Sequence, residues 1–362
     1  LQQWLSAHME ESLLKSLVVD GIVAGVGSIM IFLPQILILF LFILLLEDFG
    51  YMARAAFLMD RLMSAVGLNG RSFIPLLSSF AWAIPGIMAA RVIAHSLDRL
   101  TTILIAPLMT CSARLPVYIL LIATFIPNTV VWGGFGLQGL VMSGLYTTGI
   151  VSALMVAGVL RLTVLHGSQQ PFLMELPSYK WPSLANILLG LLDRARIFMW
   201  RVGTIILSVM VVLWFLATFP SAPEGAAEPA IYYSFAGIIG HWLEPVLAPI
   251  GFNWQIAIAL VPGLAAREVA VAALGTVYAL SSDDSTVTAS LSATLAQSWT
   301  LATALALLAW YVFAPQCLAT LAAVHRETNS WRWSIFMFVY LIGLAYIAAF
   351  ITYRVALALG GG

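Results

Sequence analysis

Charged residues are scarce in this chain of 362 residues: they make up 9% of it, whereas soluble domains contain about 25%. Apolar residues make up 62%, and the mean hydropathy is +1.00. A chain this apolar cannot cover itself with polar groups in water, so lipid is its predicted solvent. Sixteen basic residues balance sixteen acidic ones, which leaves no basic surface for nucleic acid. Two cysteines exclude a disulfide framework and leave either one bridge or two thiols.

Motifs of soluble catalysis are also missing. The five histidines show no paired metal-ligand spacing, and no arrangement of nucleophile and base stands out. Neither Lys15 nor Lys180 follows a glycine, and they are the two lysines of the chain, which excludes a G-x-x-x-x-G-K-[ST] phosphate loop. We therefore expect neither an enzyme nor a permanently bound cofactor.

Long stretches without charge take the place of these motifs. A membrane helix needs about 20 apolar residues, so the stretches predict roughly eight or nine membrane segments. They are Gly21–Leu46, Leu115–Leu160, Val202–Pro223, Pro245–Ala266, Ser285–Val324 and Trp333–Tyr353. Unpaired backbone groups are costly in lipid, and the stretches lack the alternation of a β-barrel. The predicted fold class is an all-α polytopic membrane protein.

The pattern also predicts how the chain is divided. Leu115–Leu160 contains Pro127-Asn128 and Gly133-Gly134, which predict a break between two helices. Leu1–Asp20 carries apolar and charged residues on opposite helix faces, as in a helix lying on the membrane surface. The predicted parts are this amphipathic helix at 1–20, a first transmembrane unit at 21–160, a cytoplasmic loop at 161–200 and a second transmembrane unit at 201–362.

Loop charges predict the orientation of the chain. Arg161–Arg201 is richer in Lys and Arg than in acids, so it should face the cytoplasm. Pro220–Pro229 and Ser281–Ser285 carry acidic residues and no basic ones, so both should face outward.

Three short motifs occur twice along the chain in the same order: a Gly-x-Asn, a Pro-Gly, and an Ala-Pro followed by a cysteine. The first copy contains Gly67–Asn69, Pro85-Gly86, Ala106-Pro107 and Cys111, and the second contains Gly251–Asn253, Pro262-Gly263, Ala314-Pro315 and Cys317. The predicted orientation makes the two copies inverted, a common plan among secondary transporters.

Pro85-Gly86 and Pro262-Gly263 are the predicted helix breaks. Proline has no N–H and glycine tolerates unusual dihedral angles, so a break there would expose backbone dipoles. Broken membrane helices often mark a substrate site. The alternative is a kink that serves packing alone.

Cys111 and Cys317, one in each copy, are the main candidate metal ligands. Thiol sulfur suits Fe(II), Zn(II) or Cu(I) and is a poor ligand for Mg(II) or Ca(II). Met88 could add a thioether and Glu268 a carboxylate. The alternatives are a small buried hydrophobe for each cysteine, a gap-filler for Met88 and an ion pair with another helix for Glu268.

Three further charged residues lie within or beside predicted spans. Charge at such positions is costly and usually faces a pathway or a partner, so Arg114, Glu47 and Asp48 are candidates for a position beside a pathway. Glu47 and Asp48 lie at the end of a span, where a solvated cap is the alternative.

Longer runs of the sequence carry a resemblance. They are Leu33–Ile36, Glu47–Phe57, Met59–Arg61, Ala106–Tyr118 and Phe313–Cys317. These runs resemble the membrane domain of the FeoB family of bacterial ferrous-iron transporters. The resemblance implies a multi-pass Fe(II) permease of the bacterial inner membrane, with two gate-type repeats and Fe(II) as transported substrate. In that family this part follows a cytoplasmic GTP-hydrolysing domain, so Leu1–Asp20 would be the joining segment.

The same resemblance implies two kinds of partner, the GTP-hydrolysing domain and small accessory proteins. It leaves homo-oligomerisation open. There is one departure. Ser79–Gly86 matches a family motif that commonly has cysteine where this chain has Trp82. Tryptophan cannot bind iron through sulfur. Either the site relies on the two cysteines and oxygen ligands, or Trp82 plugs the pathway, or the metal differs.

Three other functions are open from sequence. A carrier of a nucleoside or organic anion would use helix N-termini with Arg91 or Arg267 and would not need the cysteines. A carrier of another divalent metal, such as Mn(II), would use the same ligands. A membrane scaffold for a soluble partner would use the broken helices for packing alone.

Overall fold

The computed structural model describes residues 12–132, 134–165, 179–220, 230–265, 270–271, 274, 284–315 and 317–360. These residues are mostly helical, which confirms the predicted all-α class. A small antiparallel hairpin of β1 (Val130–Trp132) and β2 (Phe135–Gly136) departs from it. It lies where the sequence predicts a break between two helices, and that break is confirmed.

The helices are numbered along the chain. The first half contains α1 (Leu13–Ser16), α2 (Ala24–Asp48), α3 (Tyr51–Ala65), α4 (Phe73–Ser79), α5 (Ala83–Ala89), α6 (Ser96–Ile105), α7 (Leu115–Phe125) and α8 (Leu137–Thr163). The second half contains α9 (Leu184–Ile197), α10 (Thr204–Thr218), α11 (Ala230–Tyr233), α12 (Phe235–Leu247), α13 (Trp254–Ala265), α14 (Asp284–Ser298), α15 (Leu301–Phe313), α16 (Leu318–Thr328) and α17 (Trp331–Ala358).

Four stretches within the described residues are long and apolar enough to cross a membrane: Ser96–Phe125, Leu137–Thr163, Leu301–Thr328 and Trp331–Ala358. A fifth is obtained if Phe235–Ile250 and Trp254–Val261, which meet at 114°, count as one broken span. The chain is therefore a multi-pass membrane protein, but the predicted count of eight or nine segments is not confirmed.

The N-terminal helix does not end at Asp20 as predicted. A π-helical segment, Leu17–Val23, joins α1 directly to α2, so helix runs without a gap from Leu13 to Asp48. The segment Leu17–Val23 contains no proline, so the helix continues through it as wider π-helical turns. Most of the predicted amphipathic face falls on residues 1–11, which lie outside the described residues.

The chain divides into two compact units that interleave in sequence. The first contains Leu1–Ser112, Ile150–Val211 and Ala319–Ile335, and the second contains Ala113–Gly149, Val212–Leu318 and Phe336–Gly362. The chain passes between the units at Ser112–Ala113, at Leu318–Ala319 and inside α8, α10 and α17. The predicted division of the chain stays a prediction.

The two Gly-x-Asn motifs fold alike. Gly67 and Gly251 both have left-handed backbones, with φ of 83° and 80°, that end the preceding helical segment. Two residues later the side chains of Asn69 and Asn253 each accept a backbone N–H of the next helical turn, both at 3.0 Å. The local conformations therefore support the repeat, while its inversion stays a prediction.

Candidate functional site

The first Pro-Gly pair lies inside a helix rather than at a break. Pro85 and Gly86 belong to the first turns of α5, where the missing N–H of proline costs little, and the chain is broken just before them at Phe80–Trp82. A Cβ on Gly86 would overlap Ser79 Oγ and lie 2.7 Å from Pro75 O. Gly86 therefore allows α4 and α5 to pack closely, and the predicted break is wrong by a few residues.

The second Pro-Gly pair is also helical. Pro262 and Gly263 lie near the end of α13, which runs unbroken from Trp254 to Ala265. The sharp bend in this part of the chain comes earlier, at Gly251–Asn253, where α12 and α13 meet at 114°. The predicted break at Pro262-Gly263 is therefore misplaced as well.

Both cysteines lie at breaks inside candidate spans. Within Ser96–Phe125, helical structure stops after Leu108, and Met109 turns to extended backbone before Cys111. Within Leu301–Thr328, α15 stops at Phe313, Ala314 is extended with ψ of 148°, and Cys317 directly precedes α16. The Ala-Pro element, not the Pro-Gly element, thus marks the break in each copy. Breaks of this kind inside membrane helices often line a substrate site.

The first break is tightly enclosed by protein. Cys111 is 1% exposed, and its neighbours Met109 and Thr110 are 3% and 0% exposed. The hydroxyl of Thr110 has no hydrogen-bond partner among the residues that the structure describes. A buried hydroxyl without a partner is costly, so this oxygen indicates a place for a ligand.

Two breaks of the first unit meet at this point. Ser112 donates its backbone N–H to Phe80 O at 3.0 Å and its hydroxyl to Ala81 O at 2.8 Å. Trp82, 8% exposed, lies in the same break as these two acceptors. The segment that carries Trp82 is therefore joined by these hydrogen bonds, through Phe80 and Ala81, to the segment that carries Cys111.

The second unit contains the other break. Cys317 is partly buried, and neither cysteine forms a disulfide. Arg114, which is fully buried, donates from Nη1 to Val312 O at 2.8 Å, in the last turn of α15 before the break. A cation at the C-terminal end of a helix satisfies carbonyls that have no partner in the helix and suits the negative end of its dipole.

Other predicted candidates have different surroundings. Asp48 accepts the backbone N–H of Ser183 at 2.6 Å, just before α9 begins, and Glu47 is exposed at the end of α2. Asp48 therefore caps the start of α9. Met88 is partly buried on α5, and Glu268 lies outside the described residues, so both stay predictions as ligands.

The described part of the chain contains no group of three or more His, Cys, Asp and Glu that could hold a metal. A cation at these breaks would therefore meet few charged ligands. Sulfur, hydroxyl and backbone oxygen would supply the rest of its shell.

Arg91 is already paired. Its Nε and Nη2 donate to the two carboxylate oxygens of Glu327 at 2.7 and 2.6 Å. These hydrogen bonds and the charge of Glu327 raise the pKa of the Arg91 guanidinium. The Nε–Nη2 edge of the Arg91 guanidinium is therefore already occupied by a carboxylate, which makes Arg91 less available to an organic anion. Arg267 lies outside the described residues.

Sequence reasoning missed Thr110 and the true position of the breaks. A signal for the breaks was present, because Pro107 and Pro315 each follow an alanine near the middle of a long apolar run. No sequence signal distinguishes the unpaired hydroxyl of Thr110 from the other buried threonines.

Two family models match the chain. One is described as "Gate: Nucleoside recognition" and matches residues 29–125 and 199–331. The other is described as "Ferrous iron transport protein B C terminus" and matches residues 142–194. Together they cover most of the described helices.

Similar curated proteins are named Fe(2+) transporter FeoB. That of Leptospira interrogans serogroup Icterohaemorrhagiae serovar copenhageni is 42% identical, covering 96% of this chain and 52% of the relative. That of Leptospira biflexa is 40% identical, covering 99% and 54%, and that of Staphylococcus aureus strain MSSA476 is 41% identical, covering 94% and 49%. The chain thus spans about half the length of these relatives. No solved structure matches it.

Proposed function

The chain belongs to the FeoB family, as its C-terminal transmembrane part, and from this premise we propose that it carries Fe(II) across the bacterial inner membrane. The observation that supports this most is the pair of matching helix breaks, each with a cysteine, inside two candidate spans. A path for a soft or borderline divalent cation uses such sulfur atoms together with oxygen ligands.

Fe(II) loses its water in steps along this path. At the first break the Cys111 thiol, the unpaired Thr110 hydroxyl and carbonyls of the broken helix replace water molecules. At the second break Cys317 does the same. Because few charged ligands converge, binding stays weak enough for release, which conduction requires.

Trp82 and Arg114 shape the path without binding iron. Trp82 fills the volume that a smaller side chain would leave open, so the first break has one sulfur ligand rather than two. Arg114 holds the C-terminal end of α15 and fixes the backbone that leads to Cys317.

The relatives are about twice as long, and we propose that a cytoplasmic GTP-hydrolysing domain and small accessory proteins act with this membrane part. Nucleotide hydrolysis would belong to that domain. The membrane part would supply the route for Fe(II).

The test is anaerobic Fe(II) flux down a concentration gradient into proteoliposomes that contain this chain. The variants are Cys111→Ser and Cys317→Ser, with Ser143→Ala as a control. Among the described residues, the hydroxyl of Ser143 bonds only within its own helix, at an exposed position. We expect flux in the unmodified chain, a loss of tenfold or more in each cysteine variant, and no loss in the control.

The rival functions are tested in the same vesicles. Mn(II) and a radiolabelled nucleoside replace Fe(II) as substrates, the nucleoside because of the description of the matching gate model. Nucleoside flux that both cysteine variants retain, with no flux of Fe(II), would refute the proposal. Mn(II) flux equal to that of Fe(II) would refute the assignment of the metal.

A further inference from the structure

We propose that His241 and Glu244, on α12 of the second unit, form a second binding site for a divalent cation, separate from the two cysteine breaks. The two residues are three positions apart, so they lie on the same face of the helix. His241 Nδ1 and Glu244 Oε2 are 3.5 Å apart. Two ligands bound to one metal at about 2.1 Å each stand about 3.0 to 3.4 Å apart. The pair therefore needs to close by only a small amount.

Aromatic rings hold the imidazole in place. The ring of His241 stacks on Trp254 with centroids 5.1 Å apart, and the edge of Tyr232 packs against it at 4.6 Å. Tyr232 and Trp254 also contact one another, at 5.2 Å. This packing fixes the side-chain rotamer of a ligand before any metal binds, which lowers the entropy cost of binding.

A backbone oxygen on the same turn lacks its usual helical donor. Pro245 lies inside α12 and has no N–H, so the carbonyl of His241 receives no hydrogen bond from it. The side chains of His241 and Glu244 are 32% and 38% exposed, so the rest of the protein leaves one side of the pair uncovered for further ligands. Imidazole, carboxylate and carbonyl are ligands that suit Fe(II), Mn(II) and Co(II).

The position of the pair suggests its use. The segment before α12, Pro220–Pro229, is predicted to face outward, and His241 lies about 10 Å along the helix from its cap Ser234. The pair would hold a hydrated cation on the outer side before it loses water at the cysteines. This role rests on the proposed function, whereas the binding site itself does not.

The first test measures binding in the absence of both thiols. Cys111→Ser and Cys317→Ser are combined, so that the proposed path cannot contribute sulfur ligands, and the purified chain is titrated with Co(II) by calorimetry and visible absorption. We expect about one Co(II) per chain, with affinity falling by about tenfold or more in either His241→Gln or Glu244→Gln. Two variants are used so that a folding defect in one leaves the other decisive.

His325→Gln is the matched control. His325 also stacks on a tryptophan, Trp331, with centroids 4.2 Å apart, but no carboxylate contact joins its ring among the described residues. We expect Co(II) affinity to be unchanged in this variant. Binding that is absent, or that persists equally in the His241 and Glu244 variants, would overturn the proposal and leave the pair as a contact within one helix.

A flux measurement then tests the role. In the chain with both cysteines intact, His241→Gln and Glu244→Gln should raise the Fe(II) concentration for half-maximal flux severalfold and leave the maximal rate unchanged. An equal fall of the maximal rate would overturn the outer-side role. If the unmodified chain carries no Fe(II), the proposed function fails, while the Co(II) titration still decides the site.

Discussion

The unpaired hydroxyl of Thr110 gives the sharpest prediction, because it separates function from stability. Thr110 is 0% exposed and its hydroxyl has no partner in the described part of the chain. Burying such a hydroxyl costs about 1–3 kcal/mol by protein mutational data. Thr110→Val removes that cost and retains the shape of the side chain, so we expect the folded chain to gain about 1 kcal/mol or more of stability.

Thr102 is the matched control in the same unit. It is equally buried, but its hydroxyl donates to Asp98 O at 2.7 Å and contacts Ser72 Oγ at 2.9 Å. Thr102→Val loses these hydrogen bonds, and we expect a loss of about 1–3 kcal/mol. The same chemical change should thus have opposite effects at two positions.

The assay has two parts. Reversible unfolding in mixed detergent micelles gives the free energies of unfolding, and Fe(II) flux in proteoliposomes gives function. Thr110→Val should unfold later than the unmodified chain and carry Fe(II) several times more slowly, since it lacks an oxygen ligand. If Thr110→Val loses stability as Thr102→Val does, the inference that the Thr110 hydroxyl is unpaired is refuted. If Thr110→Val gains stability and Fe(II) flux is unchanged, the inference that this hydroxyl binds iron in the path is refuted.

Three further predictions concern packing and charge. Gly86→Ala should lose about 1–3 kcal/mol of unfolding free energy in mixed micelles, because the added methyl group has no space. Gly144→Ala, whose added methyl group would have nothing within 4 Å, should gain up to about 1 kcal/mol. Equal effects of the two substitutions would contradict the close packing of α4 and α5. Arg114→Met should lose about 1.5–3 kcal/mol in the same assay by removing a charged hydrogen bond, and Arg114→Lys should lose less; no loss in either variant would show that this bond does not hold α15. A double-mutant cycle of Arg91→Gln and Glu327→Gln should give a coupling of at most about 1 kcal/mol that salt weakens, since Arg91 is 60% exposed; a larger coupling, insensitive to salt, would mean a buried pair.

The helical class and the presence of breaks were predictable from sequence, because lipid requires long uncharged helices and proline interrupts them. The positions of the breaks were not. Proline near the start of a helix costs nothing, so Pro85 is compatible with α5, and Gly86 is needed there for close packing. The signal that mattered was the proline in mid-span before each cysteine.

The candidate site was predictable in part. Cys111 and Cys317 were identified from their matched placement, and both occupy breaks. Asp48 was ambiguous because the sequence does not reveal that Ser183 lies beside it. Thr110 could not be singled out, since whether a hydroxyl finds a partner depends on neighbours distant in sequence.

The central claim is that iron touches the thiols at the two helix breaks, and X-ray absorption at the iron edge tests it most directly. Fe(II) is bound anaerobically to the purified chain and to Cys111→Ser and Cys317→Ser. The account predicts sulfur in the first shell of iron, at about the 2.3 Å of metal–thiolate bonds, and less sulfur in each variant. A first shell of oxygen and nitrogen alone, identical in all three proteins, would contradict it.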